Sequence, residues 1–401
     1  MNMEEWVSTK TVADRNPEWR SILKDQLNQI EWSNSIQPIV DKILNDSELS
    51  HDDGLQLFNE PNLFEIGKLA DQFKVAMFGH KAYFNSNVHI NQTNVCVLAC
   101  RFCAFRRGPK AEDAYELSIE NYLKELEKFS PYVDEVHSVG GLHPSWTVEH
   151  YSELFERIRN DHPHISIKAL TAVEIKHLAQ ISNLTIEKTL KRLKEAGLTS
   201  LPGGGAEILD DEVRAVICNG KESSQEYLDI HRTAHKIGLP SNCTMLFGTI
   251  ETASQRVDHI LKLRNLAKET NGFQCFVPYP FLPDSTRLPM AQLSTGQEIL
   301  RVIAISRILL DTIPHIKAYR MNIGDELAEL ALQFGADDID GTVQQESIMH
   351  LAGSTTPLTH DLQQLSKLVS NAGCIAIKRN TIYTQFSRYI APEPVRRLPM
   401  A

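Results

Sequence analysis

The chain has 401 residues, of which 42% are hydrophobic, and a formal net charge of -10 at pH 7. This length suffices for one barrel-sized domain with extensions or for two ordinary domains, and the acidic balance argues against a nucleic-acid partner. No apolar run approaches the roughly 20 residues of a membrane span, and the N-terminus is too polar for a signal peptide, so we expect a cytoplasmic protein.

The apolar periodicity changes near residue 84. Residues 1–83 carry amphipathic helical patterns and are predicted to form a helical N-terminal extension. From 84 to 345, helical patterns alternate with short apolar runs, and the predicted strands are 87–93, 135–139, 166–172, 200–202, 242–247, 274–278, 316–319 and 338–342. Eight such units predict a TIM-type (β/α)8 barrel at 84–345. A small C-terminal extension at 346–401 is predicted to pack on it.

Unusual residues follow several of these strands. A cysteine cluster follows the first, Gly140 and Gly141 follow the second, 171–174 follow the third, and a glycine-rich run at 203–207 follows the fourth. All of them fall at the carboxyl ends of predicted strands, which is the face where barrel enzymes build their active sites. The sequence therefore predicts one site that is shared by these loops.

Three of the seven cysteines form the strongest chemical signal. Cys96, Cys100 and Cys103 have the spacing Cys-x3-Cys-x2-Cys, whereas the other four are isolated, so a disulfide framework is not expected. A zinc site needs a fourth ligand, for which His89 or His143 is available. An iron-sulfur cluster suits the spacing better, since three thiolates on a four-iron cluster leave one iron open for a substrate or cofactor.

This spacing, with the aromatic Phe102 before the last cysteine, resembles the signature of the radical S-adenosylmethionine superfamily. The resemblance implies a 4Fe-4S cluster that is held by Cys96, Cys100 and Cys103 and whose open iron binds S-adenosylmethionine. Reductive cleavage of the sulfonium then releases methionine and a 5'-deoxyadenosyl radical.

The resemblance also assigns residues to S-adenosylmethionine. Phe102 is placed beside the adenine, and the backbone of Gly140 and Gly141 is placed near the methionine amino group. The carboxylates of Glu174 and Glu207 are candidates for the ammonium or ribose. A basic residue for the cofactor carboxylate is either Lys221 or Arg214.

Longer strings are similar to the aminofutalosine synthases of the futalosine route to menaquinone. They are Val-His-Ser-Val-Gly-Gly-Leu-His-Pro at 136–144, Lys-Ala-Leu-Thr-Ala-Val-Glu-Ile at 168–175, Ser-Leu-Pro-Gly-Gly-Gly-Ala-Glu at 200–207 and Phe-Gly-Ala-Asp-Asp-Ile-Asp-Gly-Thr at 334–342. The resemblance implies a transferase that adds the deoxyadenosyl radical to 3-[(1-carboxyvinyl)oxy]benzoate. With rearrangement and loss of a one-carbon unit, the product is 6-amino-6-deoxyfutalosine.

Two alternatives remain open at this point. One is a sister enzyme, either a cyclic dehypoxanthinyl futalosine synthase or a deazaflavin-forming FO synthase, and the other is a zinc-stabilised barrel without catalysis. A radical enzyme also needs a low-potential electron donor such as flavodoxin or ferredoxin.

The substrate carries two carboxylates, so the site must supply donors for them. The candidate catalytic residues at predicted strand ends are His143, Asn91, Thr171 and Arg320, with Arg320 beside Tyr319 as a carboxylate clamp. Basic residues around the cysteines, such as Arg101 and Arg106, are also compatible with a small anionic ligand.

Overall fold

A computed structural model describes residues 7–8 and 12–390. Residues 391–401, which belong to the predicted C-terminal extension, lie outside the described residues. The strands are β1 (Val7–Ser8), β2 (Lys81–Asn85), β3 (Asn87–His89), β4 (Glu135–Ser138), β5 (Ser166–Ala169), β6 (Leu198–Ser200), β7 (Ser241–Phe247), β8 (Phe273–Pro280), β9 (His315–Ile316), β10 (Asp338–Gly341), β11 (Ile375–Arg379) and β12 (Gln385–Arg388).

The helices lie before, between and after these strands. They are α1 (Trp19–Leu27), α2 (Gln37–Leu44), α3 (His51–Asn59), α4 (Leu63–Phe78), α5 (Ile119–Phe129), α6 (Val148–Asp161), α7 (Ala172–Ile181), α8 (Ile186–Ala196), α9 (Asp211–Ile217), α10 (Ser224–Lys236), α11 (Ala253–Thr270), α12 (Gly296–Leu309), α13 (Arg320–Ile323), α14 (Asp325–Ala331), α15 (Ile348–Leu351) and α16 (Leu362–Asn371). None of the helices in the described part of the chain is long and apolar enough to cross a membrane.

Eight parallel strands close into a barrel, which confirms the predicted fold class. Strands β2 and β3 are two parts of the first barrel strand, interrupted at Ser86. Strand β3 begins the parallel order β3-β4-β5-β6, and β7, β8 and β9 are also parallel neighbours. Parallel bridges from Leu201 to Ser241 and from Lys317 to Asp338 join these groups. Strand β10 then pairs with β2 and completes the circle.

Helices α1 to α4 precede the first barrel strand and cover the barrel from outside. Helix α4 packs against α1 and against α12, the helix between β8 and β9. Its buried face includes Leu69, Phe73 and Met77, and Gly67 is needed there because a Cβ atom would lie 2.5 Å from the ring of Phe334. This helical layer therefore joins the barrel through one continuous apolar core.

The C-terminal segment extends the barrel sheet at its amino-terminal end. Strand β11 runs parallel to β2, and β12 returns antiparallel to β11 and pairs with β1. The fully buried Arg379 of β11 reaches the barrel strand β10, where its Nε donates to Asp338 Oδ2 at 2.5 Å. The Tyr383 hydroxyl donates to the same oxygen at 2.8 Å. The extension thus supplies the positive charge that neutralises a buried barrel carboxylate.

Four predicted strands end two or more residues earlier than the sequence pattern indicated. Those at 166–172 and 200–202 end at Ala169 and Ser200, and the other two are those at 87–93 and 316–319. The first ends at His89, so Asn91 lies in the following loop, where its Nδ2 donates to Val139 O at 2.9 Å. The strand predicted at 316–319 ends at Ile316, and Tyr319 is instead the N-cap residue of α13. Arg320 consequently begins a helix and does not end a strand, which corrects its predicted position.

Candidate functional site

A cavity of about 270 Å³ opens at the carboxyl ends of the barrel strands. The loops after β3, β4, β5, β6 and β8 line it together with residues of strands β7 and β8, and α13 and α15 contribute one wall. Its polar and sulfur-bearing lining residues are Cys96, Cys100, Cys103, Arg106, Thr171, Glu174, Glu207, Lys221, Thr244, Tyr279, Asn322 and Met349. The predicted convergence of the strand-end loops is therefore present.

The cysteine loop is held by its backbone. Cys96 N–H donates to Arg107 O at 2.9 Å, Val97 N–H to Leu142 O at 3.0 Å and Arg101 N–H to Ile217 O at 2.8 Å. These bonds fasten the loop to its own continuation, to the loop after β4 and to the end of α9. All three thiols consequently face one cavity.

Burial favours the neutral form of the free thiols. It raises the pKa of Cys100 to about 12, while the nearby Lys221 acts in the opposite direction. Burial also raises the pKa of Cys103, and hydrogen bonds from the backbone of Arg106 and Phe105 oppose that rise. A positive metal centre would overcome this preference and bind the thiolates.

The arrangement does not provide the ligand set of a zinc ion. No three His, Cys, Asp or Glu side chains in the described ranges converge as ligands of one metal ion. His143 Nε2 lies 2.9 Å from Glu116 Oε1, and its Nδ1 accepts a hydrogen bond from Ser145 N–H at 3.2 Å. His89 packs against His137 inside the barrel, with ring centroids 4.3 Å apart and ring planes at 41°.

Gly140 and Gly141 lie against the backbone of the cysteine loop. A Cβ atom at Gly141 would lie 2.1 Å from Val95 O, and one at Gly140 would lie 2.9 Å from Thr93 O. The Gly141 N–H donates to that same Thr93 carbonyl at 2.8 Å. Both glycines line the cavity, and their lack of side chains is required by close packing of two loops.

Glu174 connects the loops that follow β4 and β5. Its Oε2 accepts from Thr171 N–H and from the Thr171 hydroxyl, both at 2.7 Å, which forms the capping box of α7. Its Oε1 accepts from Gly140 N–H at 3.0 Å and from Gln92 Nε2 at 3.4 Å. Burial raises the pKa of this carboxyl to about 7, although the hydrogen bonds from Thr171 and Gly140 favour the ionised form.

Glu207 and Lys221 form an ion pair in the cavity wall. The Lys221 Nζ lies 2.5 Å from Glu207 Oε1 and 5.3 Å from the centroid of the Phe102 ring. Of the two basic residues predicted for the cofactor carboxylate, Lys221 lines the cavity and Arg214 does not. Arg214 lies behind the loop, where it donates to Gly205 O at 3.2 Å and to the carbonyls of Ala206 and Glu222.

Three of the four predicted catalytic side chains do not line the cavity, and only Thr171 does. His143 is bound to Glu116, and Asn91 is bound to Val139 O. The Arg320 guanidinium is occupied by Asp325 Oδ1 and Pro357 O, each at 3.2 Å. The positions of His143, Asn91 and Arg320 therefore do not support their predicted contacts with substrate.

Three further polar lining residues, Thr244, Tyr279 and Asn322, were not among the predicted site residues. Arg106 was predicted only as one of several basic residues compatible with a small anionic ligand, and it also lines the cavity. Tyr279 lies in the segment Pro-Tyr-Pro at the end of β8, and its position at a strand end was the available signal. Asn322 lies on the short helix α13, which follows the stretch predicted as a strand at 316–319.

Two family models match the chain. The model described as "Radical SAM superfamily" matches residues 90–263, and the one described as "CofH/MqnC C-terminal region" matches residues 270–391. The first match contains the cysteine loop and the strand-end loops through the fifth barrel strand. The second contains the last barrel strands together with β11 and β12.

Curated relatives match over most of their length. An aminodeoxyfutalosine synthase from Thermus thermophilus is 39% identical over 353 residues, which are 87% of this chain and 95% of the relative. A relative of the same name from Streptomyces coelicolor is 38% identical, over 89% of this chain and 95% of the relative. A cyclic dehypoxanthine futalosine synthase from Streptomyces coelicolor is 33% identical, over 87% of this chain and 88% of the relative.

Solved structures with low sequence identity share the fold. Methylornithine synthase matches with a TM-score of 0.66 at 18% identity, over 83% of this chain and 96% of that chain. A maturase of the [FeFe]-hydrogenase matches with a TM-score of 0.69 at 14% identity, over 94% of this chain and 82% of that chain.

Proposed function

Because this chain belongs to the radical S-adenosylmethionine superfamily, we propose that it makes 6-amino-6-deoxyfutalosine from S-adenosylmethionine and 3-[(1-carboxyvinyl)oxy]benzoate. The observation that carries this proposal is the 39% identity with an aminodeoxyfutalosine synthase over 95% of that relative. The superfamily implies an enzyme with a 4Fe-4S cluster that uses S-adenosylmethionine. The proposed pathway is menaquinone biosynthesis by the futalosine route.

In this proposal Cys96, Cys100 and Cys103 are the cluster ligands. They are supported by their common cavity and by the backbone bonds that fix their loop. When bound, the cluster supplies the electron that cleaves the C5'–S bond of S-adenosylmethionine and leaves one iron without a protein ligand. The proposed S-adenosylmethionine contacts are Phe102, Gly140, Gly141, Glu174, Glu207 and Lys221.

The side chains of this cavity would position and protect the reactants. Glu207 and Lys221 hold each other in position through their ion pair. The carboxylate can therefore pair with the ammonium of a zwitterionic ligand, or the ammonium with its carboxylate, without a large rearrangement. Thr171 and Glu174 hold their loops together through the capping box. Leu246, Phe281 and Met349 provide apolar surface that fits a neutral arene and excludes water.

A second candidate is the cyclisation of dehypoxanthinyl futalosine. It is favoured by the match of residues 270–391 to the CofH/MqnC C-terminal region and by 33% identity with a cyclic dehypoxanthine futalosine synthase. The two candidates share the radical chemistry and differ in the substrate. For either of them we propose a cytoplasmic location and a low-potential donor such as flavodoxin or ferredoxin.

Product analysis separates the two candidates. Anaerobically reconstituted, reduced enzyme is incubated with S-adenosylmethionine and either substrate, and products are identified by mass spectrometry. We expect about four irons per chain and, from the enolpyruvyl benzoate, a product in which adenosine is joined by carbon to the arene.

Only 5'-deoxyadenosine from the enolpyruvyl benzoate, together with a cyclised product from dehypoxanthinyl futalosine, would favour the second candidate. A matched control is Cys218→Ser, which removes a buried thiol outside the cysteine loop and is expected to leave the iron content unchanged. Cys100→Ser is expected to lower it.

A further inference from the structure

The cavity contains two cationic side chains with different surroundings. Among the described residues that line it, the cations are Arg106 and Lys221. Lys221 is neutralised by Glu207 at 2.5 Å. Arg106 forms no ion pair and no side-chain hydrogen bond with any described residue, and its Nε atom is buried without a hydrogen-bond partner. A buried donor without a partner is unfavourable unless a ligand accepts from it.

Two other arginines near the cysteines, Arg107 and Arg101, have partners for their guanidinium groups, unlike Arg106. Arg107 pairs with Asp113 Oδ2 at 2.6 Å and donates to the carbonyls of Ala104, Phe105 and Arg106. Arg101 donates its Nε to Arg287 O at 3.2 Å. Both of these guanidinium groups hold the loop together, whereas Arg106 lines the cavity and its buried Nε atom has no hydrogen-bond partner.

We propose that Arg106 binds a carboxylate of the aromatic substrate, an inference that rests on the proposed function. The substrate has two carboxylates and an arene, and a guanidinium fork matches a carboxylate bidentately. Arg106 replaces Arg320 as the carboxylate-binding residue, because Arg320 does not line the cavity and its Nη1 atom already donates to Asp325 and Pro357.

The cavity supplies further groups for the same ligand. Tyr279 lines it at the end of β8, and burial raises the pKa of its hydroxyl, which stays protonated at neutral pH and remains a donor. This donor, together with the apolar Leu246 and Phe281, matches a molecule with acceptor groups at its ends and an aromatic ring.

The test measures substrate binding by the reconstituted holoenzyme with isothermal titration under anaerobic conditions. The ligands are 3-[(1-carboxyvinyl)oxy]benzoate, its analogue without the ring carboxylate and its analogue without the enolpyruvyl carboxylate. We expect Arg106→Gln to weaken binding of the full substrate about 10- to 100-fold, the range for loss of a charged hydrogen bond. For the analogue that lacks the contacted carboxylate, the same substitution should have little effect.

Two further variants make the result specific. Arg106→Lys retains the charge without the planar fork and should fall between wild type and Arg106→Gln. Lys110→Gln removes a charge from an exposed position of the same loop outside the cavity lining and should bind substrate as wild type does. Iron content and the affinity for S-adenosylmethionine should be unchanged in all three variants.

Three outcomes would overturn the role of Arg106. They are unchanged substrate affinity in Arg106→Gln, an equal loss for the full substrate and both analogues, and a loss of affinity for S-adenosylmethionine in place of substrate. If the wild-type enzyme makes the product while one of these is seen, the proposed function stands and the Arg106 assignment fails. A wild-type enzyme that neither binds nor converts the substrate would overturn both.

Discussion

Glu174 is a buried carboxyl group at the junction of two loops of the site. It accepts hydrogen bonds from the backbone of Gly140 and Thr171 and lies beside the cavity. Since burial raises its pKa to about 7, the folded protein binds this proton more tightly than the unfolded chain does. The group therefore stabilises the fold at low pH, and its contribution decreases as the pH rises toward the folded-state pKa.

Substitution of Glu174 by Gln tests this linkage. Between pH 5.5 and 8, the free energy of unfolding of the wild type should decrease relative to that of Glu174→Gln, by about 2 kcal/mol for a shift of this size. Chemical denaturation at several pH values measures this difference. Gln364→Glu is a surface comparison, because Gln364 occupies the same capping-box position in the exposed first turn of α16. A constant difference between wild type and Glu174→Gln over this range would contradict the raised pKa.

At the residue scale, the sequence identified loop positions better than side-chain partners. The cysteine spacing, Thr171, Glu174 and Glu207 lie on the cavity as the strand-end argument predicts. His143 and Arg320 do not, because each has an acidic neighbour that no local pattern indicates: Glu116 and Asp325. The sequence showed Arg106 only as one of several basic residues near the cysteines. It stands out in the structure because Arg107 and Arg101 have partners there.

Arg287 connects the loop after β8 with the cysteine loop. Its N–H donates to Arg101 O at 2.7 Å, and its Nη2 donates to Ala99 O at 2.8 Å and to Cys100 O at 3.1 Å. These bonds end on carbonyls at and next to the middle cysteine. The loop between β8 and α12 therefore restrains the conformation of the cysteine loop from outside.

Arg287→Ala should loosen the cysteine loop without unfolding the barrel. Loss of two hydrogen bonds from an exposed guanidinium, about 1–2 kcal/mol together, predicts roughly tenfold faster hydrogen exchange of the amides at 97–103. Hydrogen–deuterium exchange with mass spectrometry measures this rate. Arg159→Ala is the matched control, because Arg159 is an exposed arginine that donates to a single backbone carbonyl, Glu195 O, on another helix pair. Equal exchange of 97–103 in both variants would show that Arg287 does not restrain the loop.

At the element scale, the order of strands and helices could be predicted from apolar periodicity and helix-end signals. Helix α8 ends at Ala196 because Gly197 follows with a φ of 130°, as its glycine indicates. The errors fall where the chain leaves the parallel ladder after His89, with only an isolated bridge from Thr93 to Glu116, and where a helix begins soon after a buried strand, at Ala172 and at Arg320. An apolar pattern in the sequence indicates which residues are buried. The end of a strand depends instead on which backbone N–H and C=O groups are hydrogen-bonded to the neighbouring strand.

The whole barrel depends on a strand from the C-terminal extension. Asp338 of β10 is fully buried between Arg379 of β11 and Lys317. Burial alone would raise the pKa of Asp338, but these two cations hold it below its usual range. A charged strand of the extension therefore completes an ion-pair network in the barrel interior. The sequence shows only a short apolar run at 375–377 there, and it did not indicate this network.

Removal of the Arg379 charge should destabilise the entire barrel. Arg379→Ala leaves Asp338 buried with less compensation and should cost about 3–5 kcal/mol in the free energy of unfolding, the range for breaking a buried ion pair. Urea denaturation measures this loss. Arg388→Ala removes an exposed arginine from the adjacent β12 and should change the stability by less than about 0.5 kcal/mol. Similar losses in the two variants would contradict a role for Arg379 inside the barrel.

The closure of the barrel also has a consequence for the order of folding. The Asn87 N–H in the first barrel strand donates to Thr342 Oγ1 at 3.0 Å, across 255 residues of sequence. Contacts between such distant residues form slowly, because the entropy of loop closure opposes them until the partners meet. The cysteine loop is also synthesised before Leu142, Ile217 and Arg287, which hold it through hydrogen bonds. We therefore expect its thiols to become enclosed only after most of the barrel has been made.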